Sequence, residues 1–267
     1  MLIRKPHAAG NFYPSDPVDL REFCSTHLAK SSGKRKAKAV LLPHAGYIYS
    51  GETACRVLSQ IEIPQTVILI GPNHRAKGHE FAVYAEGEWQ TPLGAVPINT
   101  ELAAVLLETS HDLHKDETAH TTEHSLEVLV PFLQFLNPEV QIVPVIVGTL
   151  DFEWAGEVAA AIAQVAAGRK DVLIIISNDM SHYYPDDVTR QKDRYALDAI
   201  EKLDAAGLAA QASAHAITMC GIAPVSMLLQ VKEILGIQKA SLVDYRTSAD
   251  ATGEKDRVVG YAGFIFE

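Results

Sequence analysis

The stretch "AVLLPHAGYIYSG", residues 39–51, decides how the rest of the chain is interpreted. Its four apolar residues, Ala39 to Leu42, are typical of a short strand that is buried on both faces. His44 follows two positions later, where that strand should end, and a segment with aromatic residues and glycine comes next. An imidazole at the end of a buried strand suggests a functional edge of a sheet, provided that other strands end in the same way.

Two further apolar runs do end in this way. The run in "TVILIGPNHR" (66–75) is followed by His74, and the run in "DVLIIISNDMSHYY" (171–184) is followed by Asp179 and His182. In open α/β sheets, ligands bind outside the carboxyl ends of the strands. The three runs therefore predict one shared site, to which His44, His74 and His182 all contribute.

The other segments alternate between apolar runs and amphipathic stretches. Asp16 and Pro17 predict the start of a helix that runs to about Lys30, and "TTEHSLEVLVPFLQFLN" predicts another that begins near Thr122. The alternating segment at 81–98 predicts a hairpin or edge strands. Apolar strands separated by helices predict an α/β fold with a central, largely parallel sheet flanked by helices. Without a repeat or a long linker, residues 1–267 are expected to form a single domain.

Composition narrows the classes of partner and compartment. The 267 residues include 33 acidic and 23 basic side chains, a net charge of −10, and 48% are hydrophobic. The basic run "KSSGKRKAK" (30–38) is too narrow for a nucleic-acid surface, and we interpret it as a solvated loop. No apolar run is long enough to span a membrane, so neither nucleic acid nor a membrane is an expected partner. An N-terminal stretch unlike a signal peptide, together with three cysteines and no CxxC pair, predicts a cytoplasmic protein.

Cys220 differs from Cys24 and Cys55, which we interpret as inert residues inside amphipathic helices. It lies just before a helix that Gly221 and Pro224 are expected to open. A thiol at a helix N-terminus has a lowered pKa, and the thiolate is both a nucleophile and a metal ligand. Neutral imidazole is the commonest metal-binding side chain, so the histidines and this cysteine together predict a metal site.

Three more segments are candidates for the same site. Glu123 and His124 lie in the predicted first turn of a helix, where Glu123 suits the helix dipole and His124 either positions a ligand or caps the helix. His7 belongs to a turn-rich segment, "HAAGNFYP", that is expected to close over the site. Tyr47 and other nearby tyrosines indicate a pocket that combines stacking with hydrogen bonding. We take His7, Glu123 and Tyr47 as candidates for substrate binding.

In this order, the motifs "HAAGNFYP", "PHAGYIYSG", "GPNH", "EHSLEVLVPFL", "SNDMSHY" and "MCGIAPV" resemble the Memo family, whose bacterial and archaeal members are often called AmmeMemoRadiSam system protein B. The resemblance covers nearly the whole chain. It implies a single domain similar to class III extradiol dioxygenases, which hold non-haem Fe(II) with two histidines and a carboxylate. By this resemblance His44 and His74 match the histidine ligands, and His182 matches the pocket acid or base, with Asp179 beside it. Cys220 stands where the dioxygenases place the carboxylate ligand.

A thiolate is softer than a carboxylate, so the implied cofactor is one metal ion, with iron or copper favoured and zinc as the alternative. A thiolate is also oxidisable, which makes ordinary ring cleavage a less expected reaction. The first hypothesis is a metal-dependent oxidoreductase in which His44, His74 and Cys220 bind the metal. In it, His182 is the general acid or base, held by Asp179, and His124 positions a ligand.

Two other hypotheses stay open. The protein is alternatively a non-catalytic accessory protein that binds a metal, a small molecule or a peptide in a retired dioxygenase-like pocket. The resemblance also implies a pathway shared with a radical-SAM protein. In the third hypothesis, Cys220 is a nucleophile with His44 or His182 as its base.

Overall fold

The computed structural model describes residues 2–28 and 33–267. The strands in these ranges are β1 (Ile3–Arg4), β2 (Ala39–Leu42), β3 (Thr66–Pro72), β4 (Phe81–Val83), β5 (Glu88–Thr91), β6 (Gly94–Pro97), β7 (His114–Lys115), β8 (Gln141–Val147), β9 (Val172–Ser177), β10 (His182–Tyr184), β11 (Ala240–Thr247) and β12 (Val258–Phe266). The helices are α1 (Pro17–His27), α2 (Glu52–Leu58), α3 (Thr100–Thr109), α4 (Val130–Leu136), α5 (Phe152–Ala166), α6 (Asp186–Glu201), α7 (Ala205–His215), α8 (Ile222–Gln230), α9 (Lys232–Leu235) and α10 (Ser248–Thr252). A π-helix covers Tyr47–Gly51, and short 3-10 helices cover Thr118–His120 and Glu127–Leu129.

The central sheet has a parallel middle and antiparallel sides. Its strand order is β10-β12-β2-β9-β3-β8-β4-β7, and β11 also pairs with β12. Strands β2, β9, β3 and β8 are parallel to one another, whereas β12 runs antiparallel to β2, and β4 antiparallel to β8. The predicted α/β fold is therefore confirmed. The carboxyl ends of β2, β9 and β3 lie side by side at one edge.

The sequence of strand β3 is almost continuously apolar, and its position in the sheet explains this. All seven of its residues are buried, because helices cover both faces of the sheet. Ile68 and Ile70 pack into the core on the side of α5 and α8, and Val67 and Leu69 pack into the core on the side of α2 and α4. Each such side chain contributes about 1.5–3 kcal/mol of burial free energy.

A second, three-stranded sheet has the order β1-β5-β6. Strands β5 and β6 form an antiparallel hairpin, and β4 lies near one side of the central sheet, as the alternating segment at 81–98 predicts. Within residues 2–28 and 33–267, none of the helices is long and apolar enough to cross a membrane.

Two predicted helix boundaries differ from the structure. Helix α1 begins as expected, with Asp16 accepting backbone N–H groups at its N-cap, but it ends at His27; Lys30 and the start of the basic run lie outside the described residues. The helix predicted from Thr122 is wrong at its start. Its first helical turn is the 3-10 turn at Glu127–Leu129, because the Glu123 carboxylate binds the backbone N–H groups that follow it and holds them in a non-helical turn.

Candidate metal centre

Three histidines meet at the carboxyl edge of the central sheet. His44 follows β2, His74 follows β3, and His124 comes from the segment that leads to the 3-10 turn at Glu127–Leu129. One ring nitrogen of each lies within 4.8 Å of the others. The ring centroids of His44 and His74 are 5.2 Å apart, and those of His74 and His124 are 4.8 Å apart. This spacing fits three ligands around one metal ion.

His44 presents a defined nitrogen to the cluster. Its Nδ1 lies 2.7 Å from Ser177 Oγ, and that hydroxyl donates its own proton to the Ser125 carbonyl at 2.6 Å. Ser177 therefore accepts from His44 Nδ1–H, which leaves Nε2 of the neutral ring with a free lone pair. Burial, together with the charge of neighbouring His74, places the pKa of His44 well below its usual range, so the ring is neutral and able to bind a metal.

His74 is oriented by a buried carboxylate. Glu123 Oε1 accepts from His74 Nδ1 at 2.9 Å, and Oε2 accepts from the His74 backbone N–H at 2.6 Å. Because a carboxylate only accepts, Nδ1 carries the proton and Nε2 is free for a ligand. Burial alone would raise the pKa of Glu123, but hydrogen bonds from His74 and Ser125 and the nearby histidines lower it to about 2. Histidine ligands of metals commonly have such a carboxylate partner.

His124 is the third histidine of the cluster and has a buried nitrogen without a partner. Its Nδ1 lies 3.4 Å from Glu123 Oε1 but makes no hydrogen bond with any of residues 2–28 and 33–267. Burial lowers the pKa of His124 to about 4. Phe12 packs against this ring with the centroids 4.3 Å apart. A neutral imidazole has one unprotonated nitrogen, and no hydrogen bond from the described residues fixes which nitrogen of His124 this is, so the ring can offer it to a metal ion.

Cys220 lies beside the cluster on another element. Its Sγ is 3.2 Å from His44 Nε2 and 3.2 Å from the Asp179 backbone nitrogen, which donates to it. Gly221 makes this approach possible, since a Cβ at that position would lie 2.5 Å from the Ser177 carbonyl oxygen. The lowered thiol pKa expected from a helix N-terminus is wrong: burial and the nearby Asp179 raise the pKa of Cys220 well above its usual range. Without a bound cation the sulfur is a thiol, which disfavours the nucleophile hypothesis.

His182 and Asp179 are three positions apart in the sequence but have separate partners. His182 Nδ1 donates to the Thr218 carbonyl at 2.9 Å, so Nε2 of the neutral ring can accept a proton. Asp179 Oδ1 instead accepts the His44 backbone N–H at 2.8 Å. The expectation that Asp179 holds His182 is therefore corrected. Thr218 orients His182, because the pairing of β10 with β12 turns His182 towards the loop before Cys220.

The three predicted substrate-binding residues do not line an open pocket beside the three-histidine cluster. Tyr47 is buried, its hydroxyl donates to the Val128 carbonyl, and its ring stacks on Phe132 at 4.3 Å. The π-helix directs Tyr47 into the core, so this prediction is corrected. His7 is exposed and lies outside the three-histidine cluster, and only its backbone N–H is engaged, by Glu127. Glu123 acts on His74 rather than lying open to a ligand.

A buried ion pair fixes the N-terminal segment against the cluster. Arg4 Nη1 donates to Glu127 Oε2 at 2.7 Å, with the two side chains only 3% and 1% exposed. Glu127 also accepts from the backbone N–H of His7 and Ala8 and from the Tyr13 hydroxyl. The segment so fastened carries Phe12, which covers His124. Sequence reasoning missed this pair because its members are 123 positions apart.

The donor set fits a mononuclear transition-metal site. The free Nε2 lone pairs of His44 and His74 and a nitrogen of His124 converge, and the Cys220 thiol lies beside them, next to His44 Nε2. His44 and His74 also have hydrogen-bonding partners of the kind that metal ligands require. The molecule is thus an α/β protein in which three histidines form a candidate metal site at the carboxyl edge of its sheet.

Comparisons with known proteins agree with this class. The family model described as "Memo-like protein" matches residues 4–265. A MEMO1 family protein from Aquifex aeolicus (strain VF5) is 42% identical over 268 residues, covering 100% of both chains. Another from Methanothermobacter thermautotrophicus is 39% identical over 274 residues, covering 98% of this chain and 99% of the relative. The chain therefore belongs to the Memo family.

A solved structure supports the fold alone. The uncharacterized protein JW3007 from Escherichia coli K12 aligns with a TM-score of 0.53 at 14% sequence identity. The alignment covers 84% of this chain and 99% of that one. The two proteins therefore share an architecture, and this likeness carries no statement about activity.

Proposed function

We propose that the protein binds one transition-metal ion through His44, His74 and Cys220 and acts as a metal-dependent oxidoreductase. The observation that carries the proposal is the three-histidine cluster with Cys220 Sγ beside it, 3.2 Å from His44 Nε2. Imidazole and thiolate together favour iron or copper, with zinc as the alternative. His124 is close enough to serve as an additional donor.

When bound, such an ion supplies Lewis-acid and redox chemistry at the edge of the sheet. Cys220 would hold the ion as a thiolate, because a bound cation would offset the effect of burial on its pKa. His182 offers Nε2 as a proton acceptor, held in place by the Thr218 carbonyl. Phe12 covers one face of His124 and keeps water from that side.

The proposal extends to the setting in which the site works. A small molecule or a peptide is the expected ligand, and membership of the family supports a pathway shared with a radical-SAM protein. Cys24, Cys55 and Cys220 are free, which fits a reducing compartment such as the cytoplasm.

His182→Ala separates proton transfer from metal binding. We expect the variant to keep its metal, because His182 is not among the proposed ligands, and to lose about 100-fold or more of the turnover rate. Metal content is measured by mass spectrometry, and turnover as dioxygen consumption with ascorbate as reductant, corrected for metal-free protein. His111→Ala, at an exposed histidine, is the matched control.

Two results would revise the assignment. Loss of metal in His182→Ala would make His182 a ligand rather than an acid or base. Dioxygen consumption that is the same in His182→Ala and in an active parent would remove the acid-base role of His182. No consumption in the metal-loaded parent would favour the non-catalytic binding protein with a retired pocket.

A further inference from the structure

A second histidine cluster lies at the same edge of the sheet, away from the three-histidine cluster. His79 precedes β4, and His114 on β7 pairs with Ala82 of β4. The start of β4 lies beside Val147, the last residue of β8, so both histidines are at the carboxyl edge. Their rings stack with the centroids 4.2 Å apart and an interplanar angle of 27°.

Asp116 orients His79 in the way that Glu123 orients His74. Asp116 Oδ2 accepts from the His79 backbone N–H at 2.7 Å and from His79 Nδ1 at 3.1 Å. Because the carboxylate only accepts, Nδ1 carries the proton, and His79 Nε2 has a free lone pair. A histidine that gives one N–H to a carboxylate and keeps the other nitrogen free has the arrangement common to metal ligands.

Asp116, the carboxylate of this second cluster, is itself held in place. Its side chain is 8% exposed, and Asp116 Oδ1 accepts the Thr118 backbone N–H at 2.7 Å. Donors from both His79 and Thr118 therefore hold the two oxygens of this side chain in place. Gly78 allows the loop to come this close: its φ is +76°, and a Cβ there would lie 2.2 Å from Asp116 Oδ2.

We propose that His79 and His114 form a second, solvent-facing site for a divalent transition-metal ion, oriented by Asp116. Both rings reach solvent, so small rotations of the two side chains bring a nitrogen of each onto one ion. Two imidazole ligands with open positions suit Zn²⁺, Ni²⁺ or Cu²⁺. With two protein ligands instead of three or more, this site should bind its ion more weakly than the three-histidine cluster does.

The test is a titration of the full-length protein with Zn²⁺ and, separately, Ni²⁺ by isothermal calorimetry. We expect a weak binding step in the parent that disappears in His79→Gln and in His114→Gln and stays in His27→Gln, a matched control at the exposed end of α1. Asp116→Asn should weaken the same step by about 10- to 100-fold, the usual effect of losing a carboxylate behind a ligating histidine.

The weak binding step tests the second site whether or not the three-histidine centre binds a metal. A weak step that persists in both His79→Gln and His114→Gln, or no such step in the parent, overturns the second site. Far-ultraviolet circular dichroism checks that the variants are folded. If the proposed function is wrong instead, the titration shows no tight binding step, and the weak step is still present.

Discussion

Replacing Glu127 with alanine is expected to lower the free energy of unfolding by about 3–5 kcal/mol, because it leaves Arg4 as a buried charge without its carboxylate partner. The pair is almost wholly buried, and Glu127 also accepts from two backbone N–H groups and the Tyr13 hydroxyl. Two backbone carbonyls and the Trp89 ring, 4.2 Å from the Arg4 guanidinium carbon, stay in contact with Arg4 and limit the loss. Urea denaturation of metal-free protein gives the measurement.

The control is an exposed ion pair in the same chain. Arg194 and Glu201 lie 3.1 Å apart with side chains 58% and 36% exposed, so Glu201→Ala should cost at most about 1 kcal/mol. A double variant, Arg4→Met with Glu127→Ala, should lose less than the sum of the two single losses, since both remove one interaction. A loss for Glu127→Ala as small as that of the control would show that the pair does not fasten the N-terminal segment.

Glu123→Gln is expected to weaken metal binding by about 10- to 100-fold while the fold is kept. The amide has the same shape, but it lacks the charge, and its NH₂ group must face one of the N–H donors that now bind the carboxylate. His74 then loses its fixed orientation. The measurement is competition for Co²⁺ or Zn²⁺ against a chromophoric chelator.

Glu117→Gln provides the control for this variant, because it removes a carboxylate from the same connecting segment that has no bond to the cluster. Circular dichroism checks the fold of both, and Glu123→Asp serves as the second variant if the glutamine does not fold. Equal metal affinities in the parent, Glu123→Gln and Glu117→Gln would contradict the role of Glu123.

The sequence was sufficient for the parts of the site that depend on strand order. His44, His74 and the segment 179–182 follow continuous apolar runs, and parallel strands necessarily end at one edge of their sheet. Cys220 could be singled out because it lies just before a predicted helix rather than on its apolar face. These local patterns predicted both the α/β fold and the place where polar side chains would gather.

Contacts between distant residues were beyond such reasoning. Ser177 reads as the last residue of a strand, and only the structure shows that it fixes the proton of His44. Glu123 has the sequence pattern of a helix start. In the structure it is buried beside His74 and accepts several N–H groups, so the first helical turn begins only at Glu127. Tyr47 seemed a pocket residue because aromatic residues near a histidine often are, whereas the π-helix buries it.

The measurement that tests the central claim most directly is the metal content of tag-free protein purified without oxygen, beside Cys220→Ala and His44→Ala. The parent is expected to hold close to one equivalent of iron or copper, and both variants are expected to lose it. Retention of metal in Cys220→Ala, with loss in His44→Ala, would replace the thiolate ligand with the third histidine, His124. A parent that stays without metal after loading with Fe(II), Cu(I) and Zn(II) would contradict the account.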